Sequence, residues 1–427
     1  MKKEVKELTA DWERCVFVQD TINEEFIRNI TAQILKFRQE NDNPITVAID
    51  SPGGAIGLLP TLFGLLRGPD QDGNQIKVIT VSVNHAYSAA ASLLAMGDYA
   101  IAMRHSDILF HDVRYRGLDD VTPAKAANAA VNLKISNNKN ALKLAEYVFD
   151  RLIWNYIDLK PKLPDIIKAH PDVHKRYAEN YAVCLNRPAI DVDIDLSGFL
   201  TAIHLHLTRT NETLIDTSID NLCRWRATTL VAENAQKDGN GINKLIAPSE
   251  ELFNSLKTIL NDSKNTSIEW NNYSTQVGVI HTLLVEHLVR RSPSTNLAFS
   301  KLIDVVKEDF ELIQSINDPS HFTRAEDLMI HNKNIFLDQN ARTAWESGKK
   351  EEREKVLAAL RPSFQLFWHF SVLLCRELFN GEHILNGREA QVLGIVDEVA
   401  GGGPIESRRE FRKSKEDSIQ LARATEQ

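Results

Sequence analysis

Residues 45–54 read ITVAIDSPGG, residues 78–97 read VITVSVNHAYSAAASLLAMG, and residues 107–113 read DILFHDV. Each stretch contains a short run of β-branched and aliphatic residues, the pattern of a strand buried on both faces in a parallel sheet. Each then delivers a different chemical group: a glycine pair, a serine or a histidine. In an open α/β sheet, groups at the carboxyl ends of neighbouring strands gather in one crevice. The three stretches are therefore expected to meet at a single site.

In the first stretch, Ser51 and Pro52 stop the strand, and Gly53–Gly54 supply a turn free of Cβ atoms before an apolar helix from Ala55 to Leu66. Such a turn can offer unbonded N–H groups to an oxyanion, although most are only turns. In the second, a strand over Val78–Val83 is expected to turn at Asn84 and His85. A buried helix of small residues follows, from Ala89 to Met96, stopped by Gly97. Ser88 opens that helix and has two readings. It is either a cap for the helix, or a nucleophile with the Ala89 N–H beside it as an oxyanion donor. In the third, His111 ends the strand Ile108–Phe110 next to Asp112. It is either a hydrogen-bonded structural residue or the base that a serine nucleophile needs within reach.

Longer stretches around these groups carry a resemblance. VFVQDTINEEFIRNITAQILKFRQENDNPITVAIDSPGG, AYSAAASLLAMG, ILFHD and, far downstream, GEHILNGREAQVLGIVDEV resemble the proteolytic subunit of the Clp protease, of the ClpP/crotonase fold. The resemblance covers about 15–152 and 375–399. It implies that Ser88 is the nucleophile, His111 the base and Glu382 the third member of a triad, with the backbone N–H groups of Gly54 and Ala89 as the oxyanion hole. It further implies a polypeptide substrate, a homo-oligomeric ring and an unfolding ATPase as partner, with no cofactor. The family's Gly-Met before the serine helix is replaced here, its His-Gln-Pro is His111-Asp112-Val113, and its aspartate is Glu382. Asp112 and Asp397 stand as alternative orienting acids.

The expected fold is α/β, a ClpP/crotonase-like core of repeated strand-strand-helix units interrupted by an inserted all-α domain. The expected boundaries are 1–152 for the first part of the core, 153–361 for the insertion, 362–400 for the return to the core and 401–427 for a flexible charged tail. Thr21-Ile-Asn-Glu24 has capping-box spacing, before a helix to Glu40 with Phe26, Ile30, Ile34 and Phe37 on its buried face. Thr122-Pro123 opens a long alanine-rich helix. Amphipathic helical patterns occur over Phe253–Leu260, Val277–Val289 and Leu297–Ile316. After Pro362 an apolar helix, a capped short helix at Asn386–Glu389 and a strand over Ile395–Val399 complete the core.

With 427 residues the chain can bury a large core. Its net charge of −8 gives no encouragement to nucleic-acid binding. The sequence lacks an apolar signal core and any run long enough to cross a membrane, so a cytoplasmic location is expected. Cys15, Cys184, Cys223 and Cys375 are far apart without metal-ligand spacing and read as reduced thiols. His204 and His206 alternate as on a strand, and His281 and His287 are six apart; neither pair has the ligand company of a metal site, and none is expected. Arg224, Trp225 and Arg226 form a cation–aromatic group with two readings, a contact for a partner or an ordinary helix surface. Two other functions keep the same fold: a catalytically silent subunit whose insertion binds partners, and an acyl-CoA enzyme whose oxyanion hole needs no Ser–His pair.

Overall fold

The computed structural model describes residues 10–69, 75–114, 122–180, 195–222 and 339–400, together with Gly73, Phe336 and Leu337. Its strands are β1 (Cys15–Val18), β2 (Ile45–Ser51), β3 (Val78–Tyr87), β4 (Tyr99–Ala102), β5 (Asp107–His111), β6 (Glu382–Asn386) and β7 (Glu398–Val399). They form one sheet in which β1, β2, β3, β4 and β7 are neighbours in that order, and each of these pairs is parallel. β5 branches from this row, parallel to the last residues of β3 and antiparallel to β6. The apolar runs are buried as their lack of alternation requires: Val16, Ile45, Val47, Ile49, Val78, Ile79 and Val81 are all inaccessible or nearly so.

Local chemistry sets the helix ends. α1 (Glu24–Glu40) starts two residues later than the Thr21 box implies, because the Asn23 side chain accepts the Phe26 N–H at 2.7 Å. Ile22 is unavailable to a helix, since it bridges to Gly54. The buried face is Ile27, Ile30, Ile34 and Phe37, with Phe26 only partly covered. α2 (Leu59–Arg67) follows a 3₁₀ turn at Ile56–Leu58. α3 (Ala89–Ala95) is buried along its whole length. β3 does not turn at Asn84 and His85. The Asp50 carboxylate accepts the His85 main-chain N–H at 3.2 Å and lies 3.1 Å from its Nδ1, while Ala86 pairs with Ser51 and with Ile108. These long-range bonds keep the strand extended to Tyr87.

α4 (Pro123–Leu159) is capped by Thr122, whose hydroxyl accepts the Lys125 N–H. The helical region continues through α5 (Leu163–Ala169), α6 (Pro171–Asn180), α7 (Leu196–His204) and a helical run over 209–222; α8 (Gln339–Glu346) and α9 (Lys350–Leu378) precede the return to the sheet. The expected junctions at 152/153 and 361/362 fall inside α4 and α9. The two helices pack together through edge-to-face pairs of Phe149 with Trp368 at 5.4 Å and Tyr156 with Phe367 at 5.5 Å. α4 and α9 therefore share apolar surface beside the expected junctions. The patterns at Phe253–Leu260, Val277–Val289 and Leu297–Ile316, the group Arg224–Arg226, His281, His287 and the tail 401–427 lie outside the described residues.

α10 (Gly387–Val392) opens with the expected capping box, Asn386 accepting from Glu389 N–H and Glu389 returning to Asn386 N–H. The same buried Glu389 carboxylate also accepts the Thr208 N–H at 2.7 Å and the Asn211 amide at 3.1 Å. The final strand is shorter than expected, only Glu398–Val399. The residues before it are held instead by Arg151 of α4. Its Nε donates to the Asp397 carboxylate at 2.9 Å, one terminal nitrogen to Ala95 O at 2.6 Å and Ile395 O at 2.9 Å, and the other to Gly97 O at 2.9 Å. Both ionic side chains are buried. Asp397 also accepts the Ala100 N–H at 2.8 Å, so it is committed to the sheet and is not near His111 in bonding. Breaking a buried pair from one side strands a charge at a cost of about 3–5 kcal/mol. Arg151→Met is expected to lower stability by that amount in urea denaturation; a loss under about 1 kcal/mol would contradict this role.

Candidate active site

The glycine turn is clamped from below. Ser51 Oγ donates to Asp20 O at 2.7 Å and accepts the Gly53 N–H at 3.1 Å. Ile22 N–H donates to Gly53 O at 2.8 Å, and Ala55 N–H to Ile22 O at 2.9 Å. These bonds use the groups on either side of Gly54 and leave the Gly54 N–H without a partner among the described residues. Gly53 has φ 92° and Gly54 φ 152°, values that residues with a Cβ rarely adopt. A Cβ on Gly53 would lie 2.3 Å from Tyr87 O, 2.7 Å from the Ser88 Cβ and 3.1 Å from Ala89 N. The turn thus presses against the serine backbone, and only glycine fits there.

Ser88 is the one non-glycine residue with positive φ among the described residues, at φ 57° and ψ −122°. Such a backbone costs about 1–3 kcal/mol and persists only when its surroundings fix it. Here Ser88 N–H donates to Leu109 O at 2.7 Å, tying the strand-to-helix elbow to β5. The capping role is not taken up: the Ser88 side chain makes no cap hydrogen bond to α3. Its hydroxyl has no hydrogen-bond partner among the described residues, and neither has the Ala89 N–H. A sharp, strained strand-to-helix elbow of this kind exposes a serine hydroxyl at the top of a sheet. Beside it, burial first and then Asp107 and Asp50 push the Tyr87 phenol upward, which keeps it neutral.

His111 lies at the end of β5, two residues beyond the carbonyl that holds Ser88. Its Nδ1 is 2.5 Å from the Asp112 carbonyl oxygen. A carbonyl can only accept, so the proton sits on Nδ1, and in the neutral ring Nε2 keeps the lone pair. Glu382 is directly opposite His111 in the antiparallel β5–β6 register, yet its carboxylate is paired with Arg114. No Ser88–His111 or His111–Glu382 side-chain hydrogen bond occurs among the described residues. The Asp112 carboxylate is taken by Asn137 and the Gly381 N–H. The structure therefore brings Gly53 against Ser88 and Ala89, with Gly54 the next residue of the same turn, and pairs His111 with Glu382 at the ends of β5 and β6. Asn137, from α4, was missed in the sequence because nothing local marks a polar residue of an alanine-rich helix.

A model of the Clp protease family matches residues 3–121. Over this segment the chain is similar to the Clp protease family. The match takes in Gly54, Ser88, Ala89 and His111 and stops well before Glu382. The chain is 28% identical over 101 residues to the ATP-dependent Clp protease proteolytic subunit 3 of Streptomyces avermitilis, an alignment covering 23% of this chain and 44% of that protein. The chain thus spans less than half the length of that curated relative.

Elsewhere, His204 ends α7 and His206 lies just beyond it, so the two are not on a strand. Tyr177 Oη is 2.9 Å from His204 Nδ1, and burial, with Arg388 second, pushes the His206 imidazole down. Among the described residues no cluster of three or more His, Cys, Asp or Glu is placed to hold a metal, and no helix is long and apolar enough to cross a membrane. Cys15 and Cys375 are free and buried, and burial pushes the Cys375 thiol well up. The fit of Gly53 yields a test. Gly53→Ala is expected to cost about 1–3 kcal/mol in denaturation. Gly57→Ala, with nothing within 4 Å of the added methyl, is expected to stay within about 0.5 kcal/mol of the parent; equal effects would refute the close approach.

Proposed function

We propose that the chain is a serine peptidase. The observation that carries this is Ser88, held at an elbow with its hydroxyl unbonded, followed by the unbonded Ala89 N–H and pressed by Gly53, the neighbour of Gly54, whose N–H is also unbonded. Ser88 Oγ attacks the peptide carbonyl carbon and passes its proton to His111 Nε2. The tetrahedral oxyanion is held by the Gly54 and Ala89 N–H groups. Collapse breaks the C–N bond, and the amine leaves with the proton from Nε2. Water then attacks the acyl-serine by the same relay and releases the acid. Glu382, opposite His111, orients the imidazole and offsets its charge once it turns from Arg114. Bonds between base and nucleophile often tighten only when substrate is bound. No step calls for a metal or cofactor.

The substrate class is polypeptide, as the similarity to the Clp protease family over residues 3–121 supports. We further propose a homo-oligomer, supported by the exposed Trp12, Phe17 and Leu35 on and beside β1 and α1. A light-scattering mass of one subunit at micromolar concentration would contradict it. An unfolding ATPase as partner is proposed because the similar Streptomyces subunit is of an ATP-dependent protease, and a cytoplasmic location is proposed from the similarity to the Clp protease family. A catalytically silent subunit of the same fold is the second reading, favoured by the Arg114–Glu382 pair and by the absence of a Ser88–His111 bond.

A serine-reactive phosphonate separates the two. The parent is expected to be labelled on Ser88, and Ser88→Ala to stay folded and unlabelled. Loss of a triad member removes on the order of 10⁴ or more in rate, so His111→Ala is expected to abolish peptide hydrolysis. Equal labelling of parent and Ser88→Ala would overturn the assignment.

A further inference from the structure

The bond that fixes the His111 ring in this chain is to a main-chain carbonyl, that of Asp112. What holds that carbonyl in place is a fork from α4. Asn137 Oδ1 accepts the Val113 N–H at 2.9 Å, and Asn137 Nδ2 donates to Asp112 Oδ1 at 3.1 Å. The other Asp112 oxygen accepts the Gly381 N–H at 3.3 Å, one residue before Glu382. Asp112 and Val113 are thus gripped from both sides just past the end of β5, where no strand ladder continues to hold them. Glu382, the residue across from His111, is meanwhile engaged by Arg114.

We propose that Asn137 is a positioning residue for His111: it clamps residues 112 and 113 so that the Asp112 carbonyl keeps the proton on Nδ1 and presents the Nε2 lone pair while Glu382 is still held by Arg114. As a catalytic role, this rests on the serine peptidase reading. The physics singles out an asparagine. One end of the fork must accept from a backbone N–H and the other must donate to a carboxylate, and a carboxamide carries the two functions on adjacent atoms of one short planar group. An aspartate at 137 would set two carboxylates against each other, and an alanine would bond neither. The clamp also makes the base dependent on α4, a helix whose far end, from Leu152 to Leu159, packs within the helical region.

The test uses the full chain and the rate of phosphonate labelling at saturation, separated from the half-saturating concentration. Asn137→Ala and Asn137→Asp are expected to slow saturated labelling about tenfold or more, a part of the ~10²–10⁴ that a positioned base contributes. The half-saturating concentration and the thermal midpoint are expected to stay near the parent's. Exchanging the two groups, Asn137→Asp together with Asp112→Asn, restores every bond of the clamp and is expected to recover the rate to within about threefold, on that same scale. Labelling of Asn137→Ala at the parent rate, or no recovery in the exchange, would overturn the clamp. If the parent itself is not labelled, the peptidase reading falls while the clamp is still decided by nitrogen-15 spectra of the His111 ring. These are expected to show the Nδ1–H tautomer in the parent and a mixture in Asn137→Ala. An Nε2–H ring in the parent, or spectra unchanged by Asn137→Ala, would overturn it.

Discussion

A serine held at positive φ between a strand and a helix is the constraint on which this site depends. Left to itself, the chain at Ser88 would relax into an extended or helical backbone and turn the hydroxyl into a helix cap. It is prevented from doing so from two directions. The Leu109 carbonyl takes the Ser88 N–H, and Gly53 lies against its backbone so closely that a methyl group has no room. Those contacts come from β5 and from the turn that follows β2, so the elbow exists only when the two strands that flank the end of β3 are in register.

The same long-range logic explains which features could be read from sequence. The glycine turn, Ser88 and His111 were legible because each follows a recognisable buried strand, and parallel sheets collect strand ends. Glu382 came from resemblance, and its register opposite His111 follows from the β5–β6 pairing. Asn84 and His85 misled because their composition resembles a turn, whereas Asp50 and the partners of Ala86 hold them extended. Thr21 misled in the same way: its spacing fits a capping box, but the bridge from Ile22 to Gly54 delays the helix to Asn23. Arg151 and Asn137 carried no local mark at all. Arg151 meets Asp397 across 246 positions, and such a pairing is invisible to any pattern read over a turn of helix or a strand.

Arg151 also bears on how an interrupted core stays whole. The segment that returns after the helical region must find β4 and the end of α3, and a single buried guanidinium binds both: Ala95 and Gly97 on one side, Ile395 and Asp397 on the other. Glu389 does the corresponding work toward the helical region, joining the cap of α10 to Thr208 and Asn211. Both junction helices run straight through. The helical region is therefore fastened next to the strand that carries Glu382, at Asn211 to Ile384 O, 2.9 Å.

The central claim is that the N–H groups of Gly54 and Ala89 and the ring of His111 all serve the Ser88 hydroxyl. The most direct measurement is a crystal structure of the chain after reaction with a peptidyl phosphonate. The account predicts a phosphorus bonded to Ser88 Oγ, one phosphonyl oxygen within hydrogen-bond distance of both N–H groups, and His111 Nε2 facing the adduct. An adduct whose oxygen points to solvent, with His111 turned away, would contradict it.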